Sequence, residues 1–260
     1  MSFFREVSNI ANEQVFNNRT ENYGKGRPGY AEDVIELLFR DIVKSDDKIA
    51  DIGSGTGIFA KAFIERGFDV FCVEPNEEMS SQAAKTFGDN PHFIPISATA
   101  EATTLREHSV DIVTAASAFH WFDIEKFRVE CKRILKPNGI FFAVANGRDY
   151  NDHFTLRQHE ICEKFCKNFT SLRHGLDKSI PKFGAFFGSG MKHAEFDYPL
   201  EYTKEKFIQR CLSSSYASEQ NTENYQKYVE ELWVLMNEFA PTVEKITVPN
   251  VSIAYWGNLS

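Results

Sequence analysis

The chain lacks a long hydrophobic run and an excess of basic residues. No apolar segment reaches the roughly 18 residues that span a bilayer, and the opening MSFFREVSNIANEQ has no apolar stretch typical of a signal peptide. The 260 residues contain 29 Lys and Arg against 37 Asp and Glu, which gives a net charge of −8. We therefore expect neither a membrane partner nor a nucleic-acid partner held by a broad basic face.

Cysteine is also sparse, and phenylalanine is abundant. The five cysteines are scattered and odd in number, which is typical of reduced thiols and predicts a cytoplasmic protein rather than a disulfide framework. Most of the 24 phenylalanines are expected in the core. An excess of rings could also line an apolar substrate pocket, and composition does not separate these two uses.

Predicted strands and helices alternate from about residue 31 to residue 145. Apolar strands are expected at residues 48–52, in DVFCVE, in HFIPI, at residues 110–115 and in IFFAVAN, the last after a Pro-Asn-Gly turn. Helices are predicted between them, including IFAKAFIERG with Gly67 at its end. This alternation predicts an α/β fold whose parallel sheet is covered by helices on both faces.

The rhythm changes after residue 146. Residues 147–192 are polar and are predicted to form a helical insertion that acts as a substrate lid. Residues 193–260 are expected to complete the sheet, with HAEFDYPLEYT as one strand and ITVPNVSIAYW as closing strands. Residues 31–146 would then be the ligand-binding core, and residues 1–30 would close over its site.

The segment DIGSGTG lies between a predicted strand and a predicted helix. Open α/β sheets bind ligands at such places, where glycines allow close backbone approach and a helix N-terminus offers N–H groups. Position 58 is Ile where a dinucleotide fingerprint has its third glycine, so a nicotinamide dehydrogenase is disfavoured. Asp51 and Glu74 end neighbouring strands, and a carboxylate at Glu74 could accept ribose hydroxyls. The alternative is that both acids cap neighbouring helices.

With these motifs the sequence resembles a class I S-adenosylmethionine (SAM)-dependent methyltransferase. DIGSGTG, VEPNEEM, SATAEATTL and RILKPNGIFFAVAN occur in the family's order. The resemblance implies a Rossmann-like, doubly wound, mostly parallel seven-stranded sheet with an antiparallel last strand. It also implies SAM as the cofactor and S-adenosylhomocysteine as its product. Looser matches in YGKGRPGY, ASAFHWFD, SSSY and AYWG resemble the methyltransferase type 11 and trans-aconitate methyltransferase-like group, which contains methyltransferases of small carboxylates.

The resemblance also implies a set of cofactor-binding residues. The glycines would approach the methionine part of SAM. The residues near 74–79 would contact the ribose and the adenosine, and the residues near 100 would contact the adenine. For Tyr23 and Arg27, an alternative is equally good: they would be part of an ordinary turn and a surface charge, without a role in binding. The set comprises Tyr23, Arg27, Asp51, Gly53, Ser54, Gly55, Gly57, Glu74, Asn76, Met79, Thr99, Ala100, Glu101, Ala116 and Ser117.

The acceptor side is predicted in the loop after the fourth strand. A carboxylate acceptor is already deprotonated at pH 7, whereas a phenol, hydroxyl or amine would use a base, for which His120 is the best placed. His120 could equally orient the loop. Phe119 and Trp121 could offer ring faces to the sulfonium or to the substrate, although at least one of them is expected to pack under the loop. Arg148 is a candidate for binding an acidic substrate, although arginines are more often solvated.

Three alternatives remain beside this interpretation. His159, Cys162 and Cys166 share a helix face and could begin a zinc site, but a fourth ligand is not identified and no metal is expected. The protein could be a non-catalytic SAM-binding module or partner subunit. Its acceptor could also be a protein or, less favourably, an RNA. The sequence leaves the oligomeric state open.

Overall fold

The computed structural model describes residues 28–214, 216–217, 222–242 and 244–259. Helix α1 (Glu32–Leu37) comes first and continues into a single wider π-helical turn, Leu38–Ile42. The buried side chains of this segment recur at helical spacing.

Except between its third and fourth strands, which are joined by a segment without a helix, the sequence that follows alternates between strands and helices as far as residue 148. Its elements are β1 (Ile49–Ile52), α2 (Lys61–Ile64), β2 (Val70–Val73), α3 (Glu77–Phe87), β3 (Phe93–Ile96), β4 (Val110–Ala116), α4 (Ile124–Ile134) and β5 (Leu135–Arg148). Two details differ from the prediction. Helix α2 has only four residues, and the Pro-Asn-Gly segment lies within β5, where Asn138 is left-handed and the register with β4 shifts.

The remaining elements are less regular in order. They are α5 (His153–Phe165), α6 (His174–Phe187), β6 (Lys192–Asp197), β7 (Leu200–Thr203), α7 (Lys204–Leu212), α8 (Glu223–Phe239), β8 (Lys245–Val248) and β9 (Asn250–Gly257). The prediction of a single strand in HAEFDYPLEYT is wrong. The segment forms two strands in different sheets, since Pro199 has no N–H to continue a ladder.

Strand order identifies the fold. The main sheet of the described chain has seven strands in the order β3-β2-β1-β4-β5-β9-β6, mostly parallel with one antiparallel strand. Strand β1 pairs in parallel with β2 on one side and β4 on the other, so the order reverses at β1. Ligands of doubly wound sheets bind outside the carboxyl ends of the strands at this reversal. The predicted fold is confirmed.

Helix boundaries follow local chemistry. Asn76, Asp123, Asp152 and Thr203 each accept a hydrogen bond from a backbone N–H of the first turn that follows them, as N-cap residues do. Gly67, with φ +82°, follows α2 and completes a Schellman motif, in which residues 67 and 68 donate to the carbonyls of residues 64 and 63. The glycine predicted to end this helix is confirmed.

Two compact units make up the chain. The first takes its described residues from Met1–Ala145, Lys178–Ala194 and Ile253–Ser260, and the second consists of Asn146–Asp177 and Glu195–Ser252. Aromatic rings fill part of the core of the first unit, among them the fully buried Phe127, Phe141 and Phe186. The second unit packs helices α5, α7 and α8 around a separate apolar cluster. In the part of the chain described, no helix is long and apolar enough to cross a bilayer.

Candidate functional site

The glycine loop leaves β1 at the point where the strand order reverses. The backbone N–H groups of Gly53 and Ser54 both donate to the Val73 carbonyl, at 2.8 and 3.2 Å, so the start of the loop is fixed to the end of β2. Gly53, Gly55 and Gly57 have φ values of +67°, +57° and +81°. This left-handed backbone is the conformation that glycine adopts at little cost.

The three glycines differ in the space around them. A Cβ at Gly53 would lie 2.7 Å from the Ala118 Cβ, and one at Gly57 would lie 2.8 Å from the Phe87 ring. At Gly55 the nearest atom would be a methionine sulfur at 3.8 Å, an ordinary contact. The first and third glycines therefore allow close packing, whereas the middle glycine faces the less crowded side of the loop.

Asp51 contributes a buried carboxylate beside this loop. Its side chain is 1% exposed, and its Oδ1 accepts a hydrogen bond of 2.6 Å from the Thr114 hydroxyl on β4. Its Oδ2 has no hydrogen-bond partner among the described residues. Burial raises the pKa of Asp51 to about 7; the Thr114 hydrogen bond opposes this shift and the Glu74 charge adds to it. Oδ2 can therefore accept a hydrogen bond from a ligand.

Glu74 links the loop to the end of β2. Its carboxylate is 8% exposed and accepts backbone hydrogen bonds of 2.9 Å from Gly55 and from Asn76. The Asn76 side chain in turn accepts from the Met79 N–H at 3.0 Å and begins α3. Glu74 therefore orders the loop and the residues that lead into α3. This is a structural role, of the kind that the sequence analysis gave as the alternative to ribose binding. Holding the loop and accepting hydroxyls are compatible for a carboxylate with four lone-pair sites.

The predicted adenine segment lies in a short turn after β3. Thr99 and Ala102 form an isolated antiparallel bridge, and Ala100 is buried between them. Glu101 accepts a hydrogen bond of 2.8 Å from the Asp123 N–H. This contact joins the turn to the loop that follows β4, so the cofactor and acceptor segments predicted from the sequence are neighbours.

Strand β4 ends in a strained residue. Ala116 closes the strand, and Ser117 has a φ of +54°, an uncommon conformation for a side chain with a Cβ. The Ser117 N–H donates to the Val144 carbonyl at 2.7 Å, and its Oγ accepts a hydrogen bond of 3.0 Å from the Tyr30 hydroxyl. Strain of this kind persists where surrounding contacts hold it, and it is frequent at binding sites.

The predicted acceptor loop forms the 3-10 turn Phe119–Trp121. The Phe119 ring is 3% exposed and stacks on Phe183 with centroids 4.5 Å apart, so it packs under the loop. Trp121 is 38% exposed, and its ring lies 4.8 Å from the half-buried His120 ring. His120 and Trp121 are the aromatic side chains of this turn with surface left for a ligand.

The other candidates lie elsewhere. Tyr23 and Arg27 fall outside the described residues. Arg148 belongs to the second unit, where it is 7% exposed and donates a hydrogen bond of 2.6 Å to Asn250. Their predicted roles stay predictions.

The residues of the zinc alternative have other partners. The His159 ring hydrogen-bonds to the Tyr150 hydroxyl at 2.9 Å. Cys162 and Cys166 lie in the apolar cluster of the second unit, with the Cys162 sulfur 3.6 Å from the Tyr228 hydroxyl. Within the described ranges no three His, Cys, Asp or Glu side chains are placed to hold a metal ion.

Sequence reasoning missed three residues of the site. Thr114 orients Asp51, Ala118 packs against Gly53, and Tyr30 holds Ser117. A threonine inside the apolar strand VDIVTAA was a usable signal for the first, because a polar side chain in a buried strand needs a partner. The other two contacts join residues more than sixty positions apart and leave no local pattern.

Comparisons with known proteins agree with this geometry. Residues 50–143 match the family described as Methyltransferase domain, type 11. An uncharacterized methyltransferase of Mycobacterium tuberculosis H37Rv is 35% identical over 127 residues, which are 49% of this chain and 50% of that protein. The chain therefore spans about half the length of this relative. An uncharacterized methyltransferase of Schizosaccharomyces pombe is 24% identical over 93% of this chain and 96% of its own length.

A solved structure shows the same fold. A protein of Anaeromyxobacter dehalogenans assigned as a type II methyltransferase aligns with a TM-score of 0.69 and 21% identity, covering 90% of this chain and 98% of its own. The family match over residues 50–143, the strand order and the loop together support a class I SAM-dependent methyltransferase domain of the type 11 group. Its cofactor is SAM. The unpartnered Asp51 oxygen and the open side of Gly55 fit such a ligand, which carries an ammonium group.

Proposed function

We propose that this protein transfers the methyl group of SAM to a small organic acceptor by in-line displacement at the methyl carbon. SAM, when bound, supplies an electrophilic methyl group on a sulfonium. The observation that carries the proposal is Asp51, a buried carboxylate with one unpartnered oxygen beside a left-handed glycine loop. The alternative is a module that binds SAM without catalysis.

Each part of the cofactor has a candidate partner in the first unit. Asp51 would receive the amino group, and the loop glycines would admit the methionine backbone. Glu74 would accept ribose hydroxyls while it retains the loop, with Asn76 and Met79 flanking the adenosine. The remaining predicted contacts are Tyr23, Arg27, Ser54, Thr99, Ala100, Glu101, Ala116 and Ser117.

The acceptor is proposed to be a small carboxylic acid, as the resemblance to trans-aconitate methyltransferase-like proteins suggests. A carboxylate attacks without a base at neutral pH, so the protein need only align it and exclude water. For a phenol, hydroxyl or amine, His120 would take the proton. A cytoplasmic location, where SAM and metabolic acids meet, is part of this proposal.

The test measures two quantities separately: the affinity for SAM and the turnover with candidate acceptors. Purified full-length chain is titrated with SAM, with NAD as the control, and is then incubated with SAM and a panel of small carboxylic acids and phenols. We expect micromolar SAM affinity, no NAD binding, and S-adenosylhomocysteine released only with a true acceptor. SAM binding without release of that product in any reaction would favour the non-catalytic module. Absence of SAM binding would refute the proposal.

If His120 acts as a base, its replacement has a specific signature. His120→Ala is expected to lower turnover with a hydroxyl or amine acceptor by about 100-fold, the usual contribution of a positioned base. Affinity for SAM should change little. Unchanged turnover would exclude a catalytic role for His120.

A further inference from the structure

The second unit contains a buried arginine, Arg148, that has no carboxylate partner among the described residues. Arg148 ends β5, and its Nη1 donates to the Asn250 Oδ1 at 2.6 Å. The Asn250 amide nitrogen donates to the Val248 carbonyl at 2.8 Å, which fixes the direction of its oxygen. A neutral amide orients a guanidinium but does not neutralise its charge, and an unneutralised buried charge is costly.

A second arginine approaches the same place. Arg210 lies on α7, and its guanidinium carbon is 5.8 Å from the Tyr202 ring centroid; that of Arg148 is 5.8 Å from the Phe207 ring. Burial lowers the pKa of Arg148, and the Arg210 charge adds to this effect. Within the described residues, neither arginine forms an ion pair with an acid. Two like charges in one region of the unit, with no acid paired to either, are the arrangement that an anion would stabilise.

An independent observation points to a ligand beside them. Gln158, on α5, donates to the Cys211 sulfur at 3.5 Å, and Cys211 lies close enough to both arginines that their charges act on its pKa. In the part of the chain that the structure describes, the Gln158 Oε1 has no hydrogen-bond partner, although the residue is buried. The Thr155 hydroxyl, three residues earlier on the same face of α5, is also buried and unpartnered. Buried polar atoms without partners are rare and are typical of places where a water or ligand binds.

We propose that the second unit binds a small organic anion, whose carboxylate or phosphate group is held by Arg148 and Arg210. Gln158 and Thr155 would then hydrogen-bond to hydroxyl or acid groups of the same molecule. Arginine suits this role because its planar guanidinium donates two parallel hydrogen bonds to such groups. Binding at this site needs neither SAM nor methyl transfer, so it can be tested without either.

The experiment is calorimetric titration of the full chain in low-chloride buffer. Citrate is the probe for binding of a carboxylate group, and glycerol 3-phosphate is the probe for binding of a phosphate group. Glycerol is the neutral control. Arg148→Gln and Arg210→Gln should each weaken binding of the preferred anion by at least about tenfold, since each removes a charged hydrogen bond. The matched control is Arg157→Gln, because Arg157 lies on α5 but is paired with Glu160 at 2.5 Å. The affinity of the Arg157→Gln variant for the anion should equal that of the unmodified protein.

Three results would overturn the proposal. They are binding of neither anion at about 10 mM, equal loss in all three variants, and unchanged affinity in both Arg148→Gln and Arg210→Gln. Thermal unfolding of each variant shows whether it is folded. Should Arg148→Gln fail to fold, Arg210→Gln decides the outcome together with Thr155→Val, which removes an unpartnered hydroxyl and should weaken binding without loss of stability.

Discussion

The Asp51 carboxyl is buried at the end of β1, accepts one hydrogen bond from Thr114, and has a pKa raised to about 7. An ordinary aspartate is ionised throughout the physiological range, so burial has moved this group to where it titrates. At the scale of single residues, the site therefore couples cofactor binding to protonation. The Glu74 carboxylate contributes to this coupling through its charge.

The first consequence is a pH-dependent affinity for SAM. Only ionised Asp51 attracts an ammonium group. The affinity for SAM should therefore fall by up to about tenfold for each pH unit below 7, and it should be independent of pH just above 7. Titrations between pH 5.5 and 7.5 measure this slope. Asp51→Asn should bind SAM weakly with little slope, and a slope retained in that variant would assign the titration to another group.

The second consequence concerns stability without cofactor. The pKa of Asp51 in the folded protein lies above the ordinary value of 3.8, so the folded state holds the proton more tightly between about pH 4 and pH 7. The free energy of unfolding should fall as pH rises through this window. Asp51→Asn keeps an acceptor for Thr114 and removes the buried charge, so at pH 8 it should be more stable by about 2 kcal/mol. Urea unfolding at pH 5 and pH 8 tests this; a less stable variant at pH 8 would contradict it.

Among the elements, the glycine loop depends on backbone conformation more than on side-chain chemistry. Gly53 and Gly57 combine a positive φ with a neighbour that leaves no room for a Cβ. Gly184, in α6, has open space where its Cβ would be and no positive φ. The same substitution should therefore act in opposite directions at these positions.

Gly53→Ala is expected to lower the free energy of unfolding by about 1–3 kcal/mol and to weaken SAM binding, because the strained backbone must shift away from Ala118. Gly184→Ala should raise stability by about 0.5–1 kcal/mol, because alanine favours the helix and limits the unfolded chain. Chemical unfolding and SAM titration of both variants give the comparison. Equal effects at the two positions would show that the loop is not strained as described.

Elements were largely predictable because their causes are local. Strands β1 to β4 are short and largely apolar, and helices α3 and α4 have apolar periodicity and capping residues. The division of HAEFDYPLEYT into β6 and β7 was missed, since alternation alone does not show which sheet a strand joins. In the site, DIGSGTG and Glu74 were recognisable, whereas the partners that orient them depend on contacts formed by the folded sheet. The hydrogen bond from Thr114 to Asp51 spans 63 positions.

At the scale of the whole molecule, the two compact units divide the proposed ligands. Residues predicted to bind SAM and described by the structure lie in the first unit, and the arginine pair lies in the second. Each ligand should therefore stabilise a different set of amides, because binding to the native state raises the free energy of opening where the ligand is held.

Hydrogen exchange with mass spectrometry tests this division. SAM at 100 times its dissociation constant should add about 2.7 kcal/mol of protection, concentrated in peptides that cover residues 51–57 and 74–79. Citrate or glycerol 3-phosphate should protect peptides around residues 148 and 210. Protection by SAM confined to the second unit would show that the cofactor site is misplaced.

The five cysteines have a practical consequence for spectroscopy. None of Cys72, Cys131, Cys162, Cys166 and Cys211 forms a disulfide, and all five are buried; burial raises the pKa of Cys211 to about 12. Thiols of this kind react slowly with maleimides, since the thiolate is the nucleophile. A fluorophore could thus be attached to one cysteine introduced on the surface of either unit without first removing the native five. Distances between labelled positions could then be followed in single molecules while SAM or an acceptor is added.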